Sequence, residues 1–184
     1  MVLTESSDYI ENRKMSHFEL FNTNGESINT ETLIGKNGLL IIFTCNHCPY
    51  AKALWKRLIK DYNEFLQNKF NILAINPNIN PNYPEDSPEK MKDLIKELKL
   101  PFEYVIDVNQ EIAKLYDAVC TPDFFLMNDN MELIYRGSYD DNWKDDQLVT
   151  KKYILDIIKS SENGRKNNDM QPSIGCSIKW LENK

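Results

Sequence analysis

The fold is decided by Leu39-Leu40-Ile41-Ile42-Phe43-Thr44-Cys45-Asn46-His47-Cys48-Pro49-Tyr50. Its first five residues are a continuous apolar run, short and rich in branched side chains. That pattern predicts a strand buried on both faces. From about Asn46 to Leu66 the periodicity changes. Leu54, Leu58, Tyr62 and Phe65 recur three or four residues apart, as on one face of a helix. The next apolar run, Phe70-Asn71-Ile72-Leu73-Ala74-Ile75, predicts a second strand. Strand, helix and strand in this order predict a βαβ unit.

On the N-terminal side, Phe18 and Leu20 alternate with Glu19, and Asn24-Gly25 marks a turn, so a first strand and hairpin are expected. Thr30–Leu33 suits a single helical turn. Residues 1–16 are polar and read as a flexible lead-in. On the C-terminal side, Pro77, Pro81, Pro84 and Pro88 mark a long loop over residues 76–88. Ser87-Pro88-Glu89 then opens a helix, with Ser as N-cap, Pro at the first position and Glu in the first turn. Met91, Leu94, Ile95 and Leu98 form its apolar face. Phe102–Ile106 reads as a strand, and Ile112, Leu115 and Tyr116 as a short helix. Asp123–Met127 and Leu133–Arg136 read as a hairpin joined at Asn128-Asp129-Asn130. Leu148–Ile158 predicts a terminal helix. Residues 161–172 are polar, and Ile174–Trp180 forms a compact apolar end. The order predicts an α/β domain with a central sheet. Its expected divisions are a lead-in (1–16), a domain (17–160) and a tail (161–184) that packs back on the domain.

The chain has 184 residues, enough for one domain with a core that needs no disulfide or metal. Its 41% hydrophobic and 27% charged residues are ordinary for a globular protein and argue against global disorder. No apolar run approaches the roughly 20 residues of a membrane span. A net charge of −6 argues against a general nucleic-acid binder. The opening MVLTESSDYIENRK has no apolar core of the secretory type, so a cytoplasmic protein is expected. In that setting the four cysteines, Cys45, Cys48, Cys120 and Cys176, do not read first as a disulfide framework.

The chemistry centres on Cys45-Asn46-His47-Cys48, which follows the buried strand and opens the long helix. Residues three apart on a helix share a face, so the two sulfurs are expected within disulfide reach. A helix N-terminus presents unpaired N–H groups and partial positive charge, and both favour a thiolate, the nucleophile of thiol–disulfide exchange. The expected roles are Cys45 as the more exposed, attacking sulfur and Cys48 as the buried, resolving one. A protonated His47 would favour the Cys45 thiolate further, or His47 is simply a solvated residue at the helix start. Stabilising the reduced form predicts a couple more oxidising than a thioredoxin near about −270 mV. A metal reading needs two further ligands; no second Cys-x-x-Cys exists and His17 lies far away in sequence, so neither metal nor cofactor is expected.

Four motifs carry a resemblance: Phe43-Thr44-Cys45-Asn46-His47-Cys48-Pro49-Tyr50; Tyr83-Pro84-Glu85-Asp86-Ser87-Pro88-Glu89; Cys120-Thr121-Pro122-Asp123-Phe124-Phe125-Leu126; and Pro172-Ser173-Ile174-Gly175-Cys176-Ser177-Ile178-Lys179-Trp180. Over roughly residues 17–180 the chain resembles the thioredoxin-fold peroxiredoxin-like, or redoxin-domain, proteins of the alkyl hydroperoxide reductase/thiol-specific antioxidant superfamily. The resemblance implies a thioredoxin-like fold: a central mixed sheet flanked by helices, with an N-terminal hairpin and a C-terminal extension. It implies that Thr121-Pro122 faces the Cys-x-x-Cys with a cis bond, and that backbone groups there can pair with an incoming peptide or thiol. Cys120 then falls near the rim, as an additional redox thiol or as a small buried apolar residue. Cys176 in the tail is a second candidate resolving thiol, or a packing residue beside Trp180.

The resemblance implies an oxidoreductase. The leading expectation is a thiol–disulfide oxidoreductase acting on protein or small-molecule thiols and disulfides. A thiol peroxidase that reduces hydroperoxides is the alternative, and a non-enzymatic redox sensor or interaction module the third. Cys48-Pro49 resembles the cysteine–proline step of peroxiredoxins, but Cys45 stands where those enzymes carry threonine, and Cys120-Thr121 where they carry an activating arginine. Arg136 and Arg57 are substitutes, each with a surface reading beside it. A homodimer is a further expectation from peroxiredoxin relatives. The loop Tyr139–Asp146 reads as solvated and acidic, since it lacks the glycine and glutamate of an EF-hand. Tyr50 is a candidate substrate contact, and Trp55 a core residue of the first long helix.

Overall fold

The computed structural model describes residues 3–8, 10, 12–160 and 171–181. Residues 1–2, 9, 11, 161–170 and 182–184, parts of the expected lead-in and tail, lie outside the described residues. The expected βαβ unit is present: β4 (Gly38–Phe43), α2 (Pro49–Gln67) and β5 (Phe70–Asn76), with β4 and β5 parallel. Every residue of β4 is buried, as its apolar run requires.

The remaining elements follow in chain order: β1 (Leu3–Glu5), β2 (Glu19–Asn22), β3 (Ser27–Asn29), α1 (Thr30–Leu33), α3 (Pro88–Leu98), β6 (Glu103–Ile106), α4 (Glu111–Leu115), β7 (Cys120–Thr121), β8 (Asp123–Asn128), β9 (Leu133–Arg136), α5 (Tyr153–Ser160) and β10 (Ile174–Ser177). Among the described residues they build a seven-stranded mixed sheet, β3-β2-β6-β5-β4-β8-β9, and a three-stranded sheet, β1-β10-β7. The main sheet has a thioredoxin-like arrangement. Alternate residues of β4 point to opposite faces. Leu40 and Ile42 pack with Leu54, Trp55 and Leu58 of α2 and with Ile154 and Ile158 of α5. Leu39, Ile41 and Phe43 pack with Ala113 of α4, Tyr116 and Phe18.

Local signals produce the expected ends. Ser87 Oγ accepts from the Lys90 N–H, and Pro88 opens α3. The turn after β2 places Gly25 at φ +80, where a side chain would be strained. The lead-in differs from the loose segment expected. Leu3–Glu5 pairs with β10, and Lys14 bridges to Glu132. The three-residue β1 is too short for its alternation to show this pairing in the sequence. The terminal helix starts later than expected, at Tyr153, after a single 3-10 turn over Asp146–Leu148.

Arg57 and Arg136 are both buried rather than on the surface. Arg57 Nη1 donates to Asp140 Oδ2 at 2.7 Å and to the Asn142 carbonyl at 2.6 Å. Arg136 Nη2 donates to Asp123 Oδ2 at 2.9 Å and to the Asp117 carbonyl at 2.7 Å. The acidic loop is therefore not wholly solvated, because Tyr139 and Asp140 are buried and Asp140 balances Arg57. Trp55 is core, as expected.

Candidate active site

Register explains how the sulfurs meet. β4 runs antiparallel to β8 with Phe43 opposite Asp123. Continuing that register two residues past the strand ends sets Cys45 against Thr121, and Cys45 Sγ lies 3.3 Å from Thr121 Oγ1. Thr121 ends β7, the Thr121–Pro122 bond is cis as the resemblance implies, and β8 begins at Asp123. Across β7 lies β10, with Cys176 opposite Thr121. One backbone position thus lies between Cys45 and Cys176.

Cys48 occupies the N-cap of α2, with Pro49 as the first helical residue. The helix starts three residues later than the periodicity suggested, so Cys45 lies in the connecting loop rather than one turn up the same helix. The two sulfurs still interact, because the loop folds Cys45 back over the helix start. Cys48 Sγ lies 2.9 Å from Cys176 Sγ and 3.0 Å from the Thr121 carbonyl. Cys45, Cys48, Cys176 and Ala51 form one buried cluster, with Tyr50 against it. No disulfide joins any of the four cysteines.

The burial and electrostatics of the pair differ from the expectation of an exposed, readily ionised Cys45. Cys45 and Cys48 are both 0% exposed, so Cys45 is not the accessible sulfur. Cys48 is lowered to about 5, first because the Cys45 thiol donates to its thiolate, then through hydrogen bonds from the Cys176 side chain and the Ala51 and Cys176 backbone N–H groups. Burial and the Thr121 carbonyl, which accepts only from a protonated thiol, oppose this. No regular cap bond forms at the helix start, but the Ala51 N–H faces the sulfur there. Cys45 is raised well above the ordinary thiol range, by burial first, then by its hydrogen bond to Cys48 and the charge of Asp86. Both shifts run in the direction that favours ionisation of Cys48 over Cys45.

Asp86, at the end of a 3-10 turn over Pro84–Asp86, is fully buried below the loop. Its Oδ1 accepts the Asn46 N–H at 2.7 Å and the His47 N–H at 3.2 Å, and its Oδ2 engages His47 Nδ1. Asn46 Nδ2 donates to the Glu85 carbonyl at 2.9 Å, and the Tyr104 hydroxyl donates to Asn46 Oδ1 at 3.1 Å. These bonds fix the loop between β4 and α2. His47 is thus neither a solvated residue nor a direct partner of the Cys45 sulfur. It pairs with Asp86 and stacks on Tyr83 with ring centroids 5.2 Å apart. Donor atoms of Cys45, His47 and Asp86 lie within 4.8 Å of one another, and these are the groups near the site that can hold a metal ion. Asp86 and Tyr104 were not singled out as site residues from the sequence. The Tyr83–Glu89 motif contained the aspartate, but nothing in the spacing aimed it at residues 46–47.

Cys120 falls outside the sulfur cluster. Its Sγ faces the carbonyl of Pro122 at 3.5 Å, and burial pushes its thiol far up. It is buried apart from the other three sulfurs. Tyr50 packs on Trp143 with centroids 4.0 Å apart. A cavity of about 310 Å³ lies beside them, bounded by Pro122, Phe124, Trp143, Pro172 and Ile174. It stops short of the sulfurs.

The AhpC/TSA family model matches residues 12–136. The chain belongs to the AhpC/TSA family. An uncharacterized conserved protein from Geobacillus kaustophilus superposes with a TM-score of 0.93 at 36% identity, covering 100% of this chain and 99% of that one. A hypothetical protein from Sinorhizobium meliloti 1021 gives 0.90 at 28% identity, covering 98% and 100%. The thioredoxin domain of a thiol-disulfide oxidoreductase from Bacteroides vulgatus gives 0.58 at 19% identity over 70% of this chain and 89% of that one, a likeness of fold. Among curated proteins none matches the chain. Family and fold together make this a redoxin-type protein of thiol oxidoreductase class. Among the described residues, no helix is long and apolar enough to cross a membrane.

Proposed function

We propose that the protein is a thiol–disulfide oxidoreductase in which Cys48 is the attacking sulfur. The observation that carries this is the set of donors converging on Cys48 Sγ at the start of α2, with Cys45 protonated beside it. The Cys48 thiolate attacks one sulfur of a substrate disulfide, and the other leaves as a thiol once protonated. A second thiol of the cluster then attacks Cys48 and releases the remaining substrate sulfur. Cys45 is the nearby thiol of the Cys-x-x-Cys motif. Thr121 holds Cys45 from across the register, and His47 with Asp86 fixes the loop that carries both. Pro122 lines the adjoining cavity where substrate approaches. A reducing compartment such as the cytoplasm suits an enzyme that must return to this thiol form.

Hydroperoxide reduction is the second reading, favoured by the thiolate at the Cys48–Pro49 step. Against it, both candidate arginines are committed to buried carboxylates, Arg57 to Asp140 and Arg136 to Asp123. Reduction of insulin or a small model disulfide, run beside hydroperoxide consumption, tests both. Cys48→Ser is expected to abolish disulfide reduction, and full activity in that variant overturns the proposal. Hydroperoxide turnover with a sulfenic acid on Cys48, and no disulfide reductase activity, selects the second reading.

A further inference from the structure

The sulfurs of the site are shut in, and the element that shuts them in is the chain's own C-terminal strand. β10 lies between β1 and β7, and its Cys176 faces Thr121 while Ser177 faces Cys120. The approach is close because residue 175 is glycine. A Cβ there would fall 2.2 Å from the Thr121 carbonyl oxygen and 3.0 Å from Pro122 N. Any side chain at 175 therefore forces β10 off the loop. The Thr121 hydroxyl also donates to the Cys176 carbonyl at 3.4 Å. This seating brings Cys176 Sγ to 2.9 Å from Cys48 Sγ, about 0.9 Å more than a disulfide bond. Cys176 is itself 2% exposed.

We propose that Cys176 is the internal disulfide partner of Cys48, and that β10 is a strap holding the edge of β7 that an incoming substrate strand would otherwise pair with. The inference rests on Cys48 being the attacking sulfur and adds the thiol that resolves it. The step balances as follows. The Cys48 thiolate attacks one sulfur of an incoming disulfide, that S–S bond breaks, and the departing thiolate takes the Cys176 proton. The Cys176 sulfur then attacks Cys48 Sγ, the second substrate thiolate leaves, and it takes a proton from solvent. Cys48 and Cys176 together lose two electrons, and the substrate disulfide becomes two thiols. The new bond ties the C-terminal strand to the start of α2. In the reduced state the strap is held without a covalent link, by β-pairing, packing and hydrogen bonds such as that from the Thr121 hydroxyl, so lifting it exposes the unpaired backbone of β7 as a binding edge.

The test uses the full reduced chain, a small aliphatic disulfide below one equivalent, acid quenching and alkylation. Non-reducing digestion and fragment mass spectrometry then map the bridges. A Cys48–Cys176 cross-link as the main oxidised species is expected. Gly175→Ala, which retains all four cysteines but displaces β10, is expected to lower its yield several-fold. Cys176→Ser must remove it entirely and lengthen the life of a mixed disulfide on Cys48. A Cys45–Cys48 loop as the main product, with Cys176 alkylated, overturns this proposal and leaves Cys48 as the attacking sulfur. Cys48 alkylated throughout, with no bridge formed, overturns both.

Discussion

The identity of the thiolate can be read from the pH dependence of alkylation, residue by residue. An ordinary cysteine with a pKa of about 8.5 is roughly 0.3% ionised at pH 6. Cys48, lowered to about 5, is roughly 90% ionised there. That is about a 300-fold gain in thiolate. A less basic thiolate is a poorer nucleophile, and a Brønsted slope of about 0.45 over about 3.5 pH units removes roughly 40-fold of that gain. The net expectation is roughly an eight-fold advantage at pH 6 that reverses above about pH 7. Burial slows both limits alike, so the inflection is diagnostic rather than the absolute rate. Iodoacetamide labelling of the reduced protein from pH 4 to 10, quantified by fragment mass spectrometry, should show Cys48 modified first, with an inflection near 5. Cys45→Ala removes the largest contribution to the lowered value. A hydrogen bond to a charged group contributes about 1.5–3 kcal/mol, so the inflection should rise by about 1–2 pH units. An inflection near 8.5 in the unaltered protein, preferential labelling of Cys45, or no movement in Cys45→Ala refutes the assignment.

Other consequences are open to direct measurement. Stabilising the Cys48 thiolate stabilises the reduced form, so the couple should lie above about −270 mV in a glutathione titration followed by alkylation; a value at or below that level contradicts the site's electrostatics. Asp86→Asn removes the charge that helps raise Cys45 and weakens the bonds to residues 46–47. Cys45 should then label faster at pH 8, and stability should fall by about 1–3 kcal/mol in a urea titration. Arg136→Met strands the fully buried Asp123 carboxylate; it should cost about 3–5 kcal/mol by denaturant unfolding, and a loss under about 1 kcal/mol would show the pair to be dispensable. Cys120→Ala should lose no more than about 1–2 kcal/mol of stability and keep the full oxidised-bridge pattern, since its sulfur faces the Pro122 carbonyl rather than the other thiols.

Much of the fold was legible because its signals are local. The apolar run of β4, the period change into α2 and the Ser87–Pro88 start of α3 each depend on neighbours within a few residues. The Cys45–Cys48 pair was legible for the same reason. Its internal environment was not, because it turns on burial and on hydrogen bonds that tertiary packing sets, with remote residues adding to them. Asp86 opposes ionisation of Cys45, and the backbone and side chain of Cys176 favour it at Cys48. The buried environments of Arg57 and Arg136 were hidden likewise, since their carboxylate partners are 83 and 13 residues away in the chain.

The sequence by itself determined that a buried strand delivers two cysteines to a helix start, in a chain matching four separated motifs. Tertiary structure decided the surroundings of each thiol and which distant thiol reaches Cys48. The β4–β8 register sets Cys45 against Thr121, and the β7–β10 pairing sets Cys176 against the same residue from the other side. A cysteine 128 residues away in the chain thereby lies 2.9 Å from Cys48, because strand pairing fixes neighbours in space regardless of their separation in sequence.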